Sequence, residues 1–190
     1  FLRLWCSGKG TPANAVGHVH TNFKLTQCQG DWIVVKNGST LVDSVQLHRT
    51  QATHSWGRKP DGSSTWNIFT TPTPNSSNTS TGYSSYAPTP VMNVAPGFYS
   101  GTKIVSLSVT PSNSLTIYYT TNGSEPTTGS SMYVSTPVSI SSTSVLRAYA
   151  VSSDPSILPS FMETNTYFIN ETIDSHYGVV SVSGGAPLDQ

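Results

Sequence analysis

Short runs of β-branched and aromatic residues, separated by Gly, Pro, Asn and Asp, occupy most of this sequence. Such runs predict β-strands, because side chains on a strand point alternately to its two faces. No stretch carries a sustained helical period of apolar positions. The pattern therefore predicts an all-β chain. Its predicted strands are 1–6, 22–26, 31–36, 40–47, 53–58 and 65–70 in the first part, then 103–109, 115–121, 137–141, 144–151 and 161–169.

Two Asn-Gly pairs stand at the ends of strand-like runs, at Asn37-Gly38 and Asn122-Gly123. Both residue types accept the positive φ of a tight hairpin turn, so each pair predicts a hairpin. The strand positions that are expected to face the core of the second part are Ile104, Leu107, Val109, Val145, Ala148, Tyr167 and Ile169.

A segment rich in Ser, Thr, Pro and Asn, residues 74–88, has the composition of an extended interdomain linker. It predicts a first domain over 1–73, a second over 89–169, and a tail over 170–190 with one more strand at 177–183. Charged residues make up only 9% of the 190 residues and the formal net charge is zero, which argues against a nucleic-acid-binding role. No apolar run approaches the ~20 residues that span a bilayer, which argues against membrane insertion.

Three segments of the second part carry a family resemblance: PGFYSG at 96–101, LTIYYTTNGSEPT at 115–127 and SVLRAYA at 144–150. Together they resemble the chitobiase/β-hexosaminidase C-terminal domain, a small immunoglobulin-like module appended to larger secreted bacterial proteins. The resemblance implies a sandwich over 89–169. It also implies a non-catalytic role, because the catalytic barrel of those enzymes is a separate domain.

The first part carries a second resemblance, in FLRLWCSGKG at 1–10, DWIVVKNGSTLVDSVQL at 31–47 and SWGRKPDGSSTW at 55–66. These segments resemble the second half of a bacterial lamin tail domain, whose opening strands would precede Phe1. We therefore expect two immunoglobulin-like sandwiches, the first lacking its opening strands. Either upstream chain or a neighbouring copy would complete it by strand addition. The tail resembles the start of a spore-coat protein H-like domain.

The candidate chemistry is sparse. Cys6 and Cys28 suit one disulfide in an oxidising compartment, or else two buried free thiols. His18 and His20 would point the same way on a strand and are weak candidate zinc ligands, and the expected role is that of surface or core histidines, because no HExxH motif or matching carboxylate accompanies them. There is no Gly-x-Ser-x-Gly elbow and no phosphate-binding loop, so neither an enzymatic activity nor a cofactor is predicted.

Exposed aromatic side chains are the remaining candidates for binding. We single out Trp56, beside Gly57 in the first part, and Tyr99 and Tyr119 in the second as candidate ligand contacts. Trp5 and Trp32 lie within apolar runs and are predicted to be core residues.

The expected function is that of a non-catalytic structural, adhesion or assembly module of a secreted or cell-surface bacterial protein. Its predicted partners are other domains of a longer chain or neighbouring copies, joined through sheet edges, with glycans as a further class. The alternative is a carbohydrate-binding accessory module of a polysaccharide-degrading enzyme.

Overall fold

The computed structural model describes residues 1, 3–10, 19–26, 30–111 and 114–172. Over these residues it contains β-strands and no helix, which confirms the predicted all-β class. The chain divides into two compact units, Phe1–Ser84 and Ser85–Gln190. The segment 74–88, interpreted from the sequence as a linker, supplies the strand Gly82–Tyr83 to the first unit and Ser85–Tyr86 to the second. The strand predicted at 177–183 lies outside the described residues.

In its described residues, the first unit contains three small sheets. Strands β1 (Leu4–Trp5) and β2 (Val19–His20) pair in parallel. Strands β3 (Trp32–Asn37) and β4 (Thr40–Gln46) form an antiparallel hairpin. Strands β5 (Ser55–Arg58), β6 (Trp66–Phe69) and β7 (Gly82–Tyr83) form an antiparallel sheet. The strand predicted at 22–26 is wrong: that segment makes a single bridge, Lys24 to Ser7.

The second unit is built on a sheet of five strands. In spatial order these are β10 (Gly97–Tyr99), β18 (Glu163–Ile169), β16 (Ser144–Ser152), β13 (Leu115–Thr120) and β14 (Ser131–Tyr133). The described part of the unit also contains three two-stranded sheets. They pair β11 (Lys103–Val105) with β15 (Val138–Ile140), β12 (Leu107–Ser108) with β9 (Val91–Met92), and β17 (Ile157–Leu158) with β8 (Ser85–Tyr86).

A core of buried apolar side chains fills the second unit, and Leu107, Val109, Ala148, Tyr167 and Ile169 belong to it as predicted. Two of the predicted core positions are wrong. Ile104 is 54% exposed, because β11 turns the neighbouring Val105 inward instead. Val145 is only half-buried, because the inward positions of β16 are Leu146, Ala148 and Ala150.

The two Asn-Gly pairs have different outcomes. The hairpin predicted at Asn37-Gly38 is present: Asn37 pairs with Thr40 across a turn in which Gly38 has a φ of 59°. The tight hairpin predicted at Asn122-Gly123 is wrong: β13 pairs with β14, so residues 121–130 form a longer loop between the two strands.

Candidate functional site

Trp56, the binding candidate of the first unit, lies inside an aromatic stack. Its ring centroid is 5.7 Å from that of Trp66, with the planes 12° apart, and 4.9 Å from the tilted ring of His48. The Arg58 guanidinium carbon lies 4.8 Å from the Trp66 centroid, a cation–π distance. Trp56 is therefore half-buried between side chains of its own unit. A planar ligand would have to displace one of them to reach the indole.

The stack is tied to the β3–β4 hairpin by one ion pair. Arg58 Nη2 donates to Asp43 Oδ1 at 2.7 Å. This hydrogen bond is the main cause that lowers the pKa of Asp43 below its usual value. Because Asp43 belongs to β4 and Arg58 to β5, the contact fixes which face of the hairpin is turned towards the three-stranded sheet.

The other face of the hairpin is turned away from β5 and carries the exposed indole of Trp32. Trp32 lies opposite Gln46, and Val34 lies opposite Ser44, so these four side chains share one face. Asp43 lies opposite Val35 and belongs to the opposite face. Trp32 is 59% exposed and Val34 is 49% exposed. The hairpin thus presents an indole beside the amide of Gln46 and the hydroxyl of Ser44, a surface that we call the Trp32 face.

The prediction that Trp5 and Trp32 are core residues is wrong, since Trp5 is also 42% exposed. The sequence shows apolar residues at nearly every position of 32–35, which is typical of a strand buried on both faces. Among the described strands, β3 pairs only with β4. On one face of the hairpin the apolar Trp32 and Val34 lie opposite the polar Gln46 and Ser44. This mixed face can be recognised only when the register of the two strands is known.

In the second unit, Tyr99 and Tyr119 both pack against the core cluster. The Tyr99 hydroxyl donates to the Ala95 carbonyl at 2.8 Å, and Lys103 Nζ lies 4.6 Å from its ring centroid. Tyr119 meets Tyr133 edge to face, with centroids 6.5 Å apart. Ligand binding by Trp56, Tyr99 and Tyr119 stays a prediction.

Tyr118 lies on the other face of the five-stranded sheet from Tyr119, as strand alternation predicts. There it pairs with Tyr149, at a centroid distance of 5.9 Å, and with Met132 across the ladder. Burial is the main cause that raises the pKa of Tyr149 above its usual value. Phe98 and Phe168 stack at 4.4 Å on the same sheet. All four aromatic rings are half-buried, whereas the Trp32 indole is exposed.

The cysteine and histidine predictions involve residues outside the described part of the chain. Cys6 is a free, half-buried thiol, so the predicted disulfide is not found among the described residues, and Cys28 lies outside them. His20 Nδ1 is 2.9 Å from Ser7 Oγ, and His18 lies outside the described residues. Across the described ranges, no group of three or more His, Cys, Asp or Glu side chains is placed to hold a metal ion.

The segments described in the structure contain no helix that is long and apolar enough to cross a membrane.

Comparison with known families gives one match. Residues 94–156, which run from the segment after β9 to the turn before β17, match the chitobiase/beta-hexosaminidase C-terminal domain. Domains of this family are immunoglobulin-like, non-catalytic accessory modules. No curated protein and no solved structure matches the chain. The resemblances to a lamin tail domain and to a spore-coat protein H-like domain gain no support from these comparisons. The second unit is therefore similar, over 94–156, to an accessory domain of glycosidase-like proteins.

Proposed function

We propose that this chain is a non-catalytic accessory part of an extracellular, polysaccharide-directed protein, and that the Trp32 face binds sugar rings. The carrying observation is the 59% exposure of Trp32 on the hairpin face directed away from β5. An exposed indole offers a flat apolar surface to the C–H face of a pyranose ring. The family match at 94–156 supports the accessory role and the extracellular setting.

The polar neighbours of Trp32 suit a sugar better than a purely apolar ligand. Gln46 lies directly across the ladder, and its Nε2 donates to the Gly30 carbonyl at 3.3 Å. That contact orients the amide and leaves its oxygen able to accept a hydrogen bond from a sugar hydroxyl. Ser44 adds a hydroxyl beside Val34 on the same face. Apolar contact with a few placed polar groups is the usual composition of a ligand site.

The test is a titration of the full chain with soluble oligosaccharides, including chitin and cellulose oligomers, followed by isothermal calorimetry. We expect Trp32→Ala to weaken binding by at least about tenfold, or ~1.4 kcal/mol. Trp5→Ala is the matched control, because it removes another partly exposed tryptophan from a different sheet of the same unit. Equal losses in the two variants, or no binding by the parent chain, would remove the proposal. A loss of binding in Trp56→Ala alone would place the sugar site at the aromatic stack around Trp56 instead of at the Trp32 face.

A second candidate function, assembly by strand addition, is favoured by a different observation. The hairpin is a two-stranded sheet, and Val35, Leu41 and Val42 are each more than half exposed on it. Short sheets with exposed apolar residues pair readily with further strands. Sedimentation velocity should then show a mass that grows with concentration and returns to the monomer in Val42→Lys. A monomer at every concentration would exclude this role.

A further inference from the structure

The chain contains the tripeptide Asn-Gly-Ser twice, at 37–39 and 122–124, and the structure places the two copies in different surroundings. We propose that Asn37 is a site of spontaneous succinimide formation in the folded protein and that Asn122 is protected from the same reaction. The inference goes beyond sugar binding and does not depend on it. It concerns a covalent modification at the tip of the hairpin that carries the Trp32 face.

The reaction needs two freedoms at an Asn-Gly bond. The backbone nitrogen of the glycine must approach the Asn side-chain carbonyl carbon, and the side-chain amide must turn towards it. Glycine favours this reaction, because it has no Cβ to shield its own nitrogen and its backbone is the least restricted. A hydrogen bond from that nitrogen, or one that fixes the Asn side chain, slows the reaction, because it must open first.

Asn37 has both freedoms. Asn37 and Gly38 are exposed at the tip of the hairpin, and a Cβ built on Gly38 would meet no atom within 4 Å. Among the described residues, neither Gly38 N nor the Asn37 side-chain amide makes a hydrogen bond. The Asn37 backbone pairs with Thr40, which holds the turn closed and leaves the amide side chain in solvent.

Asn122 has neither freedom, although it too is exposed. Its Oδ1 accepts hydrogen bonds from Ser124 N at 3.1 Å and from Ser124 Oγ at 2.7 Å. Gly123 N donates to the Val145 carbonyl at 3.0 Å. The Gly123 carbonyl accepts from Arg147 Nη1 at 3.2 Å, and Arg147 is itself 6% exposed. The attacking nitrogen and the attacked side chain are therefore both fixed by the loop and by β16.

The chemistry needs only water. Gly38 N, on losing its proton, forms a bond to Asn37 Cγ, and the side-chain nitrogen leaves as ammonia, which carries away that proton and the broken bond's electron pair. The resulting five-membered imide then adds one water at either carbonyl. One product has an ordinary aspartyl residue in place of Asn37. The other has an isoaspartyl linkage, in which the main chain runs through the side-chain carbon. Both products carry one additional negative charge, and no oxidant or reductant takes part.

The products alter the hairpin in different ways. The additional carbon of the isoaspartyl linkage lengthens a turn whose two-residue length sets the pairing of Asn37 with Thr40. A register change in a hairpin moves side chains between faces, so the isoaspartyl form should disturb the β3–β4 ladder. The aspartyl form keeps the backbone length and adds charge next to Lys36.

The experiment incubates the full chain in mildly alkaline buffer, with and without urea, and follows both sites by peptide mapping and enzymatic isoaspartate labelling. In the folded chain we expect conversion at Asn37 to be at least about tenfold faster than at Asn122, which corresponds to an opening cost of ~1.4 kcal/mol for the Asn122 loop. In urea, where the tripeptides are equivalent, we expect the two rates to agree within about twofold.

Asn37→Gln is the matched variant, because its longer side chain would have to close a six-membered ring and should abolish conversion at that site. Comparable rates at the two sites in the folded chain would overturn the proposal. A large difference that persists in urea would overturn it as well, because the cause would then lie in the flanking sequence.

Discussion

Both units of this chain contain many large apolar side chains, but the units differ in how many of these side chains they bury. In the second unit most of the large apolar side chains enter one buried cluster around Leu146 and Tyr167, neither of which has measurable exposure. In the described part of the first unit, only Ile68 and Phe69 are buried apolar residues, while Trp32, Leu41 and Val42 are more than half exposed. Apolar residues alone therefore do not form a core. A core forms where the strands that carry them pair into a broad sheet.

The difference follows from sheet width. Strand β16 has neighbours on both sides, and its inward side chains are Leu146, Ala148 and Ala150, all without exposure. The β3–β4 hairpin has two strands, so the hairpin cannot enclose its own faces. Contiguous exposed apolar side chains are typical of binding surfaces, which is why the proposals concentrate on the first unit.

The largest effect that separates the units should come from truncating matched leucines. Leu146→Ala removes a fully buried side chain, and we expect it to lower the free energy of unfolding of the second unit by about 2–5 kcal/mol. Leu41→Ala, at 57% exposure, should change the stability of the first unit by no more than about 0.5 kcal/mol. Hydrogen exchange of peptides from β16 and β4 measures the local stability of each strand. Equal losses of stability in the two variants would show that the Leu41 side chain is buried by other parts of the protein.

Replacing a closely packed glycine by alanine should destabilise the first unit by a smaller amount. A Cβ added to Gly57 would lie 2.9 Å from Asn78 Nδ2 and 3.3 Å from a ring carbon of Phe69. Asn78 is held there by its bond to the Arg58 carbonyl at 2.8 Å. We expect Gly57→Ala to destabilise the first unit by about 1–3 kcal/mol. All four tryptophans belong to this unit, so fluorescence during urea unfolding reports it.

The control for that substitution is Gly129→Ala in the second unit, where the added Cβ would meet only Thr127 Oγ1, at an ordinary 3.6 Å. It should leave unfolding almost unchanged. If Gly57→Ala is equally mild, the packing of residues 71–80 against β5 is looser than these contacts imply.

The smallest effect concerns acid. The hydrogen bond from Arg58 lowers the folded-state pKa of Asp43, so this carboxylate stabilises the first unit above its unfolded pKa, near 3.8, and loses that contribution as the pH falls through the lower folded value. In Arg58→Met we expect the Asp43 pKa to rise towards its usual value. A carbon-detected NMR titration of the carboxyl group measures this shift.

Asp154 of the second unit provides the internal reference for that titration. Hydrogen bonds from Ser156 lower its pKa, and Arg58→Met should leave it unchanged. An Asp43 pKa that is insensitive to the substitution would show that the ion pair does not hold the hairpin to β5.

Local sequence determined the strands that long apolar runs mark, such as β3, β4, β13, β16 and β18, and the turn after Asn37. It also indicated the family that residues 94–156 match, because PGFYSG, LTIYYTTNGSEPT and SVLRAYA are local patterns. Short strands such as β2, β10 and β14 escaped prediction, because two or three residues carry no period. They exist as strands only because a neighbour pairs with them.

Which side chains are exposed to solvent was decided by the tertiary structure alone. Trp32 and Trp56 both lie in predicted strands, yet Trp32 is exposed and Trp56 is enclosed by His48 and Trp66, residues eight and ten positions away. The two identical Asn-Gly-Ser tripeptides differ for the same reason, since Val145 and Arg147 hold one of them from a distant strand. Sequence determines what a strand can pair with, whereas exposure depends on what the rest of the chain places over it.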